Sequence, residues 1–462
     1  MDGSYCESVI RSLEANLSEP PISTKLFLSG ATSSREDIPV DSEALEENVL
    51  PNRAVAIILS YLPIKDVFRF GFKLSRTWLE LWKRNPLVLH DVQLVPDHMK
   101  DKIMAGGIFR HNLAPEITHI LDMHPGPVDY LRLEYTTWKG GNAQLRLWIE
   151  KLISKRVNDL VLYGRWPQEQ MDLLPNNIIH CSRLRNLTLC FFQIPHLSTY
   201  DSLSFDELRE LTVAHCELRE PDVCLLLLKC EKLEMLSLGH IDNECMIISS
   251  ESLSKVNLWN CRFDRLLIMH CPELATLVQV VEHESMHGTH IFIDGTPGID
   301  FMAYYYHDQQ TLYIDSTFIE DHPQYEALTV FCMGVKFIGN YQLDVIRDLL
   351  ICFPNLLEFS ITRMDPGERY FTAVIKWKDL IQGISCVKDK LETFSLRNSG
   401  LDDSEIDLAQ SILMYAPKLR QFSVLAAVGT SDDRVEELQN AIESTTLASC
   451  SVIKLQLGTE PE

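Results

Sequence analysis

The chain has 462 residues, 46% hydrophobic and 23% charged, a balance expected of a globular protein long enough for two or three units. A formal net charge of -23 argues against nucleic acid as a ligand, because phosphate binding needs clustered Lys and Arg. Neither a run of eighteen apolar residues nor a basic flank before an apolar N-terminal run occurs, so no membrane span or secretory leader is expected, and the expected location is intracellular, cytoplasmic and/or nuclear. The thirteen cysteines are odd in number and include no C-x-x-C pair; they are expected reduced, with no RING-type or zinc-ribbon site, no redox motif and no cofactor.

Residues 1–48 hold ten acids against three bases, with little periodicity beyond a short helical pattern from Ser8 to Leu17, and are expected to be mostly disordered. Residues 49–93 reverse the sign, with seven bases against three acids. In this stretch Val55, Ile58, Leu59 and Leu62 fall at i, i+3, i+4 and i+7, which places them on one face of a helix that Pro63 ends. Leu74, Trp78, Leu81 and Trp82 repeat the pattern on a second helix, capped near Ser75 and stopped before Pro86. About forty residues cannot enclose two tryptophans by themselves, so the pair of helices reads as a docking module. Its local basicity would steer an acidic partner.

Residues 94–156 read as a connecting helical and strand segment. From there to residue 428 the chain repeats itself. Leu208, Leu211, Val213, Cys216 and Leu218 fill every fixed place of L-x-x-L-x-L-x-x-N/C-x-L, and Leu253, Val256, Leu258, Cys261 and Phe263 fill them again. Partial copies start at Val157, Leu184, Leu233, Leu356, Leu391 and Leu419. Steps of 24, 25, 20 and 21 residues separate Leu184, Leu208, Leu233, Leu253 and Leu274, each enough for one strand and one return segment. Between Leu274 and Leu356 the register is uncertain, and Ile291-Phe292-Ile293 with Leu312-Tyr313-Ile314 serve as its anchors. Cys216 and Cys261 are expected to pack or bond the turn of each repeat. Residues 429–462 read as a helix, a strand and an acidic tail.

The order Leu50-Pro51, Ile58 to Pro63, Lys65-Asp66, Leu74 to Trp78 and Leu81-Trp82 resembles the F-box, close to its plant form. The resemblance implies binding to the Skp adaptor of a Skp-cullin-F-box ubiquitin ligase, through Leu50, Pro51, Val55, Ile58, Leu59, Leu62, Pro63 and Trp78, and through the adaptor to a cullin and a RING subunit. The later half is similar to plant F-box proteins of the leucine-rich-repeat class. Leu145 to Ile149 running into Val157 to Leu162 carries the likeness, as does Leu391 to Val424, which resembles the FBD-type C-terminal segment. The expected fold is therefore α/β: a short helical F-box followed by a leucine-rich-repeat solenoid with a curved parallel sheet.

The expected activity is that of a non-catalytic substrate receptor for an unidentified protein. Substrate would meet the concave sheet, where His215, Asn257, Trp259 and Arg397 are exposed by pattern. Two rivals remain: a repeat scaffold with no ligase role, and a zinc hydrolase. The second rests on His283-Glu284-Ser285-Met286-His287, which spells H-E-x-x-H. Strand-like flanks, Gly288 and the absence of the third metzincin ligand argue for a polar loop and no metal site. Phosphate-binding and nucleophile-elbow motifs are absent from the chain.

Overall fold

Within the repeats, strands form where leucines stand two apart, as at Leu160 and Leu162, Leu187 and Leu189, and Leu236 and Leu238. The computed structural model describes residues 76–95, 112–134, 136, 142–164, 171–199, 203–281, 290–294, 296, 298–306, 313–314, 325–335, 340–363, 377–445 and 452–457. They divide into two units, Met1–Glu217 and Leu218–Glu462.

The first unit contains α1 (Arg76–Arg84), β1 (Leu87–His90), α2 (Ala114–Met123), β2 (Val128–Leu133), α3 (Asn142–Ser154), β3 (Asp159–Tyr163), β4 (Asp172–Leu173), β5 (Asn186–Cys190), β6 (Phe192–Gln193) and β7 (Glu210–Ala214). Helix α1 ends at Arg84, before Pro86, as the tryptophan pattern predicts; Leu74 and Ser75 lie outside the described residues. Strands β1, β2, β3, β5 and β7 pair in parallel in that order. Their register sets Leu131, Leu160, Leu187 and Leu211 in one row and Leu133, Leu162, Leu189 and Val213 in the next. All eight are buried, so every other residue of each strand faces one apolar core. Helix α3 seals it with Trp148, which is fully buried and donates from Nε1 to Thr118 Oγ1 of α2 at 2.9 Å.

The second unit begins with α4 (Glu220–Lys229), which has a proline in its first turn, and continues with β8 (Met235–Gly239), β9 (Asp242–Ile248), β10 (Lys255–Trp259), β11 (Arg262–Met269), β12 (Thr276–Val281), β13 (His290–Asp294), β14 (Phe301–Tyr306), β15 (Tyr313–Ile314) and β16 (Val330–Val335). It closes with α5 (Asn340–Cys352), β17 (Glu358–Arg363), α6 (Trp377–Ile381), α7 (Ser385–Asp389), β18 (Thr393–Ser399), α8 (Asp403–Tyr415), β19 (Gln421–Ala426), α9 (Asp432–Ser444) and β20 (Val452–Leu457). Strands β8, β10, β12, β14, β16, β17, β18, β19 and β20 form one parallel ladder. This ladder runs past residue 428, since β19 pairs with β20 over six residues.

A second parallel sheet, β9, β11, β13 and β15, supplies the return segments of the middle repeats. Ile291-Phe292-Ile293 and Tyr313-Ile314 belong to this sheet. They are strands, as expected, but they do not anchor the leucine register; β12, β14 and β16 do. The misreading has a physical cause: an extended apolar segment looks the same whichever of two sheets it joins.

Inside the second unit the first core row reads Leu236, Val256, Leu277, Met302, Phe331, Phe359, Phe394 and Phe422. Its last four members are fully buried aromatic rings with centroids 6.0, 5.8 and 5.6 Å apart, a spacing at which ring pairs attract. The second row reads Leu238, Leu258 and then Gln279, with Met333, Ile361, Leu396 and Val424 beyond β14. Gln279 is 2% exposed, and neither of its amide atoms has a hydrogen-bond partner.

Candidate interaction surface

The face opposite the leucines is built by the same alternation. In the first unit it carries Tyr130, Asp159, Asn186 and Glu210 in one register row and Arg132, Val161, Thr188 and Thr212 in the next, followed by Tyr163, Cys190 and Ala214. Tyr130, Val161, Tyr163, Cys190, Phe191 and Ala214 form an apolar cluster in which each residue is buried. The Arg132 guanidinium lies 5.6 Å from the Tyr163 ring centroid and reaches Glu134 Oε2 at 2.8 Å through Nη2 and 2.9 Å through Nε. Burial opposes the Glu134 charge, but Arg132 and the His90 ring, with Nε2 3.7 Å from the carboxylate, outweigh it and hold the carboxyl at about 2. Asp159 moves the other way. Burial, with Asp129 beside it, pushes Asp159 up to about 7, although it accepts a 2.6 Å bond from Asn186 Nδ2.

A turn follows β5, β7, β8 and β10, and its first residue takes a left-handed backbone. Phe191, His215, His240 and Asn260 stand at this place with φ of 62°, 49°, 51° and 46°. From it Phe191 N donates to Ala214 O at 3.1 Å, His240 N to Trp259 O at 2.8 Å and Asn260 N to Val280 O at 2.7 Å, so these three turns are tied to the end of the next strand. Gly164 stands at the corresponding position after β3 without the left-handed φ. Its N donates to Cys190 O at 2.7 Å, and a Cβ there would sit 2.1 Å from Phe191 O, an approach that only glycine allows. The cysteine of the repeat comes one residue later. Cys216 Sγ contacts Ala214 O at 3.2 Å and Cys261 Sγ contacts Leu238 O at 3.3 Å, with burial pushing both thiols up to about 12. These are turn-bonding groups and not nucleophiles.

A second recurring turn precedes the strands and was not read from the sequence. Leu184, Leu233 and Leu274 donate from their backbone N to Cys181, Cys230 and Cys271 O at 3.0, 3.0 and 3.1 Å. The C-x-x-L spacing was its visible signal. Phe205, Phe353 and Ala416 take the cysteine's place in other copies.

Of the residues expected to face substrate, Arg397 is exposed, and its Nε donates to Ser395 Oγ at 3.3 Å. Asn257 is half-buried and donates from Nδ2 to Ser237 Oγ at 3.1 Å. His215 is half-buried, stacked on Phe191 with centroids 4.8 Å apart, and burial lowers its pKa to about 4, so at neutral pH it is uncharged. The exposure expected of Trp259 is not found: it is 7% exposed. Its register neighbours are Gly239 and Val280, and the glycine leaves one flank free of side chain for the indole to lie along the sheet. Leu50, Pro51, Val55, Ile58, Leu59, Leu62 and Pro63 lie outside the described residues, as does the His283 to His287 motif. Trp78 falls within α1, where its backbone alone is described. Among the described residues no group of three or more His, Cys, Asp or Glu is placed to hold a metal ion, and no helix is long and apolar enough to cross a membrane.

The remaining outer face of the second unit is half-exposed and mixed. Lys255, Thr276, Val278, Val280, Glu358 and Thr393 stand on it, with Gln421 exposed. Such a surface suits a protein partner better than a small molecule, which a deep apolar pocket would take.

Residues 145–361 match the family described as FBD-associated F-box protein At5g56370, LRR repeats. The repeat region is similar to that of the plant F-box/leucine-rich-repeat family. Three Arabidopsis thaliana relatives agree. A protein described as an F-box/FBD/LRR-repeat protein, At5g62970, is 27% identical over 177 residues, covering 34% of this chain and 38% of its own length. F-box protein At1g80960 is 24% identical over 251 residues, 47% of this chain and 50% of its own. F-box/LRR-repeat protein At3g03360 is 25% identical over 236 residues, 49% of this chain and 44% of its own. The matches thus span half or less of the length of each F-box/leucine-rich-repeat relative. The parallel ladder is the repeat fold that the family match describes.

Proposed function

We propose that the chain is the substrate-receptor subunit of a Skp-cullin-F-box ubiquitin ligase. The observation that carries this reading is the match of residues 145–361 to the repeats of F-box proteins, with the F-box-like residues standing ahead of them in the chain. Residues 49–93 act as the F-box, where Leu50, Pro51, Val55, Ile58, Leu59, Leu62, Pro63 and Trp78 meet the Skp adaptor and through it the cullin and RING subunits. Residues 94–156 connect to the repeats of 157–428, of which 391–424 form the FBD-type segment, and 429–462 follow as the C-terminal part.

A protein substrate occupies the outer face of the sheet, with Arg397, Asn257 and His215 among its contacts and Trp259 supporting them from within the face. The subunit performs no bond chemistry. Buried thiols near 12 and a neutral, stacked His215 suit a binding surface and offer no activated nucleophile. Its contribution to rate is proximity, which makes transfer of ubiquitin to a held lysine effectively intramolecular.

Co-purification with a Skp adaptor tests the reading. The full chain is expected to bind, and the double variant Leu50→Ala, Pro51→Ala to lose at least about 2 kcal/mol, more than tenfold in Kd. Equal binding by both would refute it. A chain that binds no adaptor at all would be a repeat scaffold.

A further inference from the structure

Helix α1 is the last part of the F-box-like stretch, and it ends against residues about forty positions further along. A helix leaves its final carbonyls without intrahelical partners. Here Asn85 N takes Leu81 O at 3.1 Å, and the side chain of His124 takes two others: Nε2 lies 3.1 Å from Trp82 O and 2.9 Å from Asn85 O. Both partners are acceptors, so Nε2 carries the proton and donates to them. The same ring stands edge-on to Trp82 with centroids 4.7 Å apart and planes at 73°. Trp82 is 5% exposed and His124 fully buried.

Gly126 closes the arrangement. A Cβ at this position would come within 2.6 Å of Lys83 O and 3.4 Å of Asn85 O, so the end of α1 rests directly on the backbone of this turn. The contact continues into the repeats. Leu87 N donates to Pro127 O at 2.9 Å and begins the β1–β2 pairing, Lys155 Nζ donates to His124 O, and Val128 N donates to Lys155 O at 3.1 Å. Backbone groups of α1, the turn before β2 and the end of α3 thus meet around one imidazole.

We infer that His124 and Gly126 clamp the C-terminal end of α1 to the first repeat strands and act as positioning residues that hold the F-box helix in one orientation. Burial lowers the pKa of His124 and so favours the neutral ring, and Nε2 keeps its proton for Trp82 O and Asn85 O in either charge state. The purpose assigned to the clamp rests on the receptor reading, although its geometry does not. A receptor that swings freely dilutes its substrate over a large volume, whereas a fixed one keeps a high effective concentration at the ligase.

The test uses the full chain with spin labels on genetically encoded keto amino acids at Glu80 and Asp206, both exposed. The wild-type label-to-label distance distribution is expected to be narrow. His124→Ala should broaden it at least twofold, and His124→Gln, whose amide nitrogen can replace Nε2, should restore it. Gly126→Ala pushes on Lys83 O at 2.6 Å and crowds His124 Cε1 at 3.0 Å while leaving the Nε2 donor in place; it should also broaden the distribution, which keeps the inference open to refutation if His124→Ala does not fold. Adaptor affinity measured alongside should stay within twofold of wild type. Distributions of equal width in the wild type, His124→Ala and Gly126→Ala chains would overturn the clamp. Narrow wild-type and broad variant distributions in a chain that binds no adaptor would leave the clamp standing and refute the receptor reading instead.

Discussion

Replacing Glu405 by glutamine isolates a buried charge whose cost can be worked from the structure. Asp402 caps α8, accepting from Ser404 N at 3.1 Å and Glu405 N at 3.0 Å, while Glu405 Oε2 accepts from Asp402 N at 3.0 Å to complete a capping box. Arg363 Nη1 donates to Asp402 Oδ2 at 2.7 Å and Glu405 Oε2 at 2.8 Å. One cation therefore faces two carboxylates, and Glu405 is fully buried with Oε1 lacking a partner. Burial first and Asp402 second push Glu405 up to about 7, against the pull of Arg363. The ion-pair distance alone would suggest a lowered pKa. The upward direction is the sounder one, because Oε1 is desolvated and uncompensated.

A carboxyl held at about 7 instead of 4.5 disfavours its charged form by about 3 kcal/mol. Since the folded pKa is the higher one, the protein loses this stability as pH rises from about 4.5 through 7, and the loss is complete above that. Glutamine cannot ionise, so Glu405→Gln should gain on wild type by about 2–3 kcal/mol between pH 5 and pH 8. Hydrogen exchange of peptides spanning α8, corrected for intrinsic rates, reads the opening free energy of this segment alone. Arg363→Met supplies the opposite sign: at pH 8 it should cost about 3–5 kcal/mol by leaving the acids unneutralised, and less at pH 5. A Glu405→Gln advantage that is flat within about 0.5 kcal/mol from pH 5 to 8 would refute the assignment of the cost to this carboxyl.

Gln279→Leu should stabilise the second unit by about 1–3 kcal/mol, because it removes two unpartnered amide atoms from a row otherwise filled by Leu258 and Leu238; urea denaturation is the measure. Gly164→Ala drives a Cβ onto Phe191 O and should cost at least about 2 kcal/mol in the first unit, visible as a lowered Tm, with an unchanged melt contradicting the close approach. Cys216 and Cys261 should resist alkylation at pH 8 until denaturant is added, since their thiols are fully buried at about 12; mass spectrometry of native and unfolded samples would detect labelling out of turn.

Much of the ladder was legible because a leucine pair two apart, repeated every twenty to twenty-five residues, leaves few alternatives to a parallel strand per repeat. Cys216 and Cys261 were legible for the same reason. The turn before them was not: Phe191, His215 and His240 carry no glycine signal, although each takes a positive φ. Trp259 reads as exposed by alternation, and only the register beside Gly239 explains its burial. Gln279 looks like an outward residue by type and stands in a leucine place by register. Least visible was the contact of His124 with Trp82, because nothing local in either segment announces a partner about forty residues away.

The left-handed turns after β5, β8 and β10 are held by the neighbouring strand and not by whatever follows them. The return segment can therefore be a helix such as α4 or α8, or a strand such as β9 or β11, while the ladder advances by the same step. Insertion or loss of a few residues in a return segment changes the thickness of that repeat and leaves its pitch alone. Genes built this way can vary in length from copy to copy, as the steps of 20 to 25 residues here do, and still present outer-face side chains on a constant grid. Selection for new partners can then act on single grid positions without rebuilding the frame.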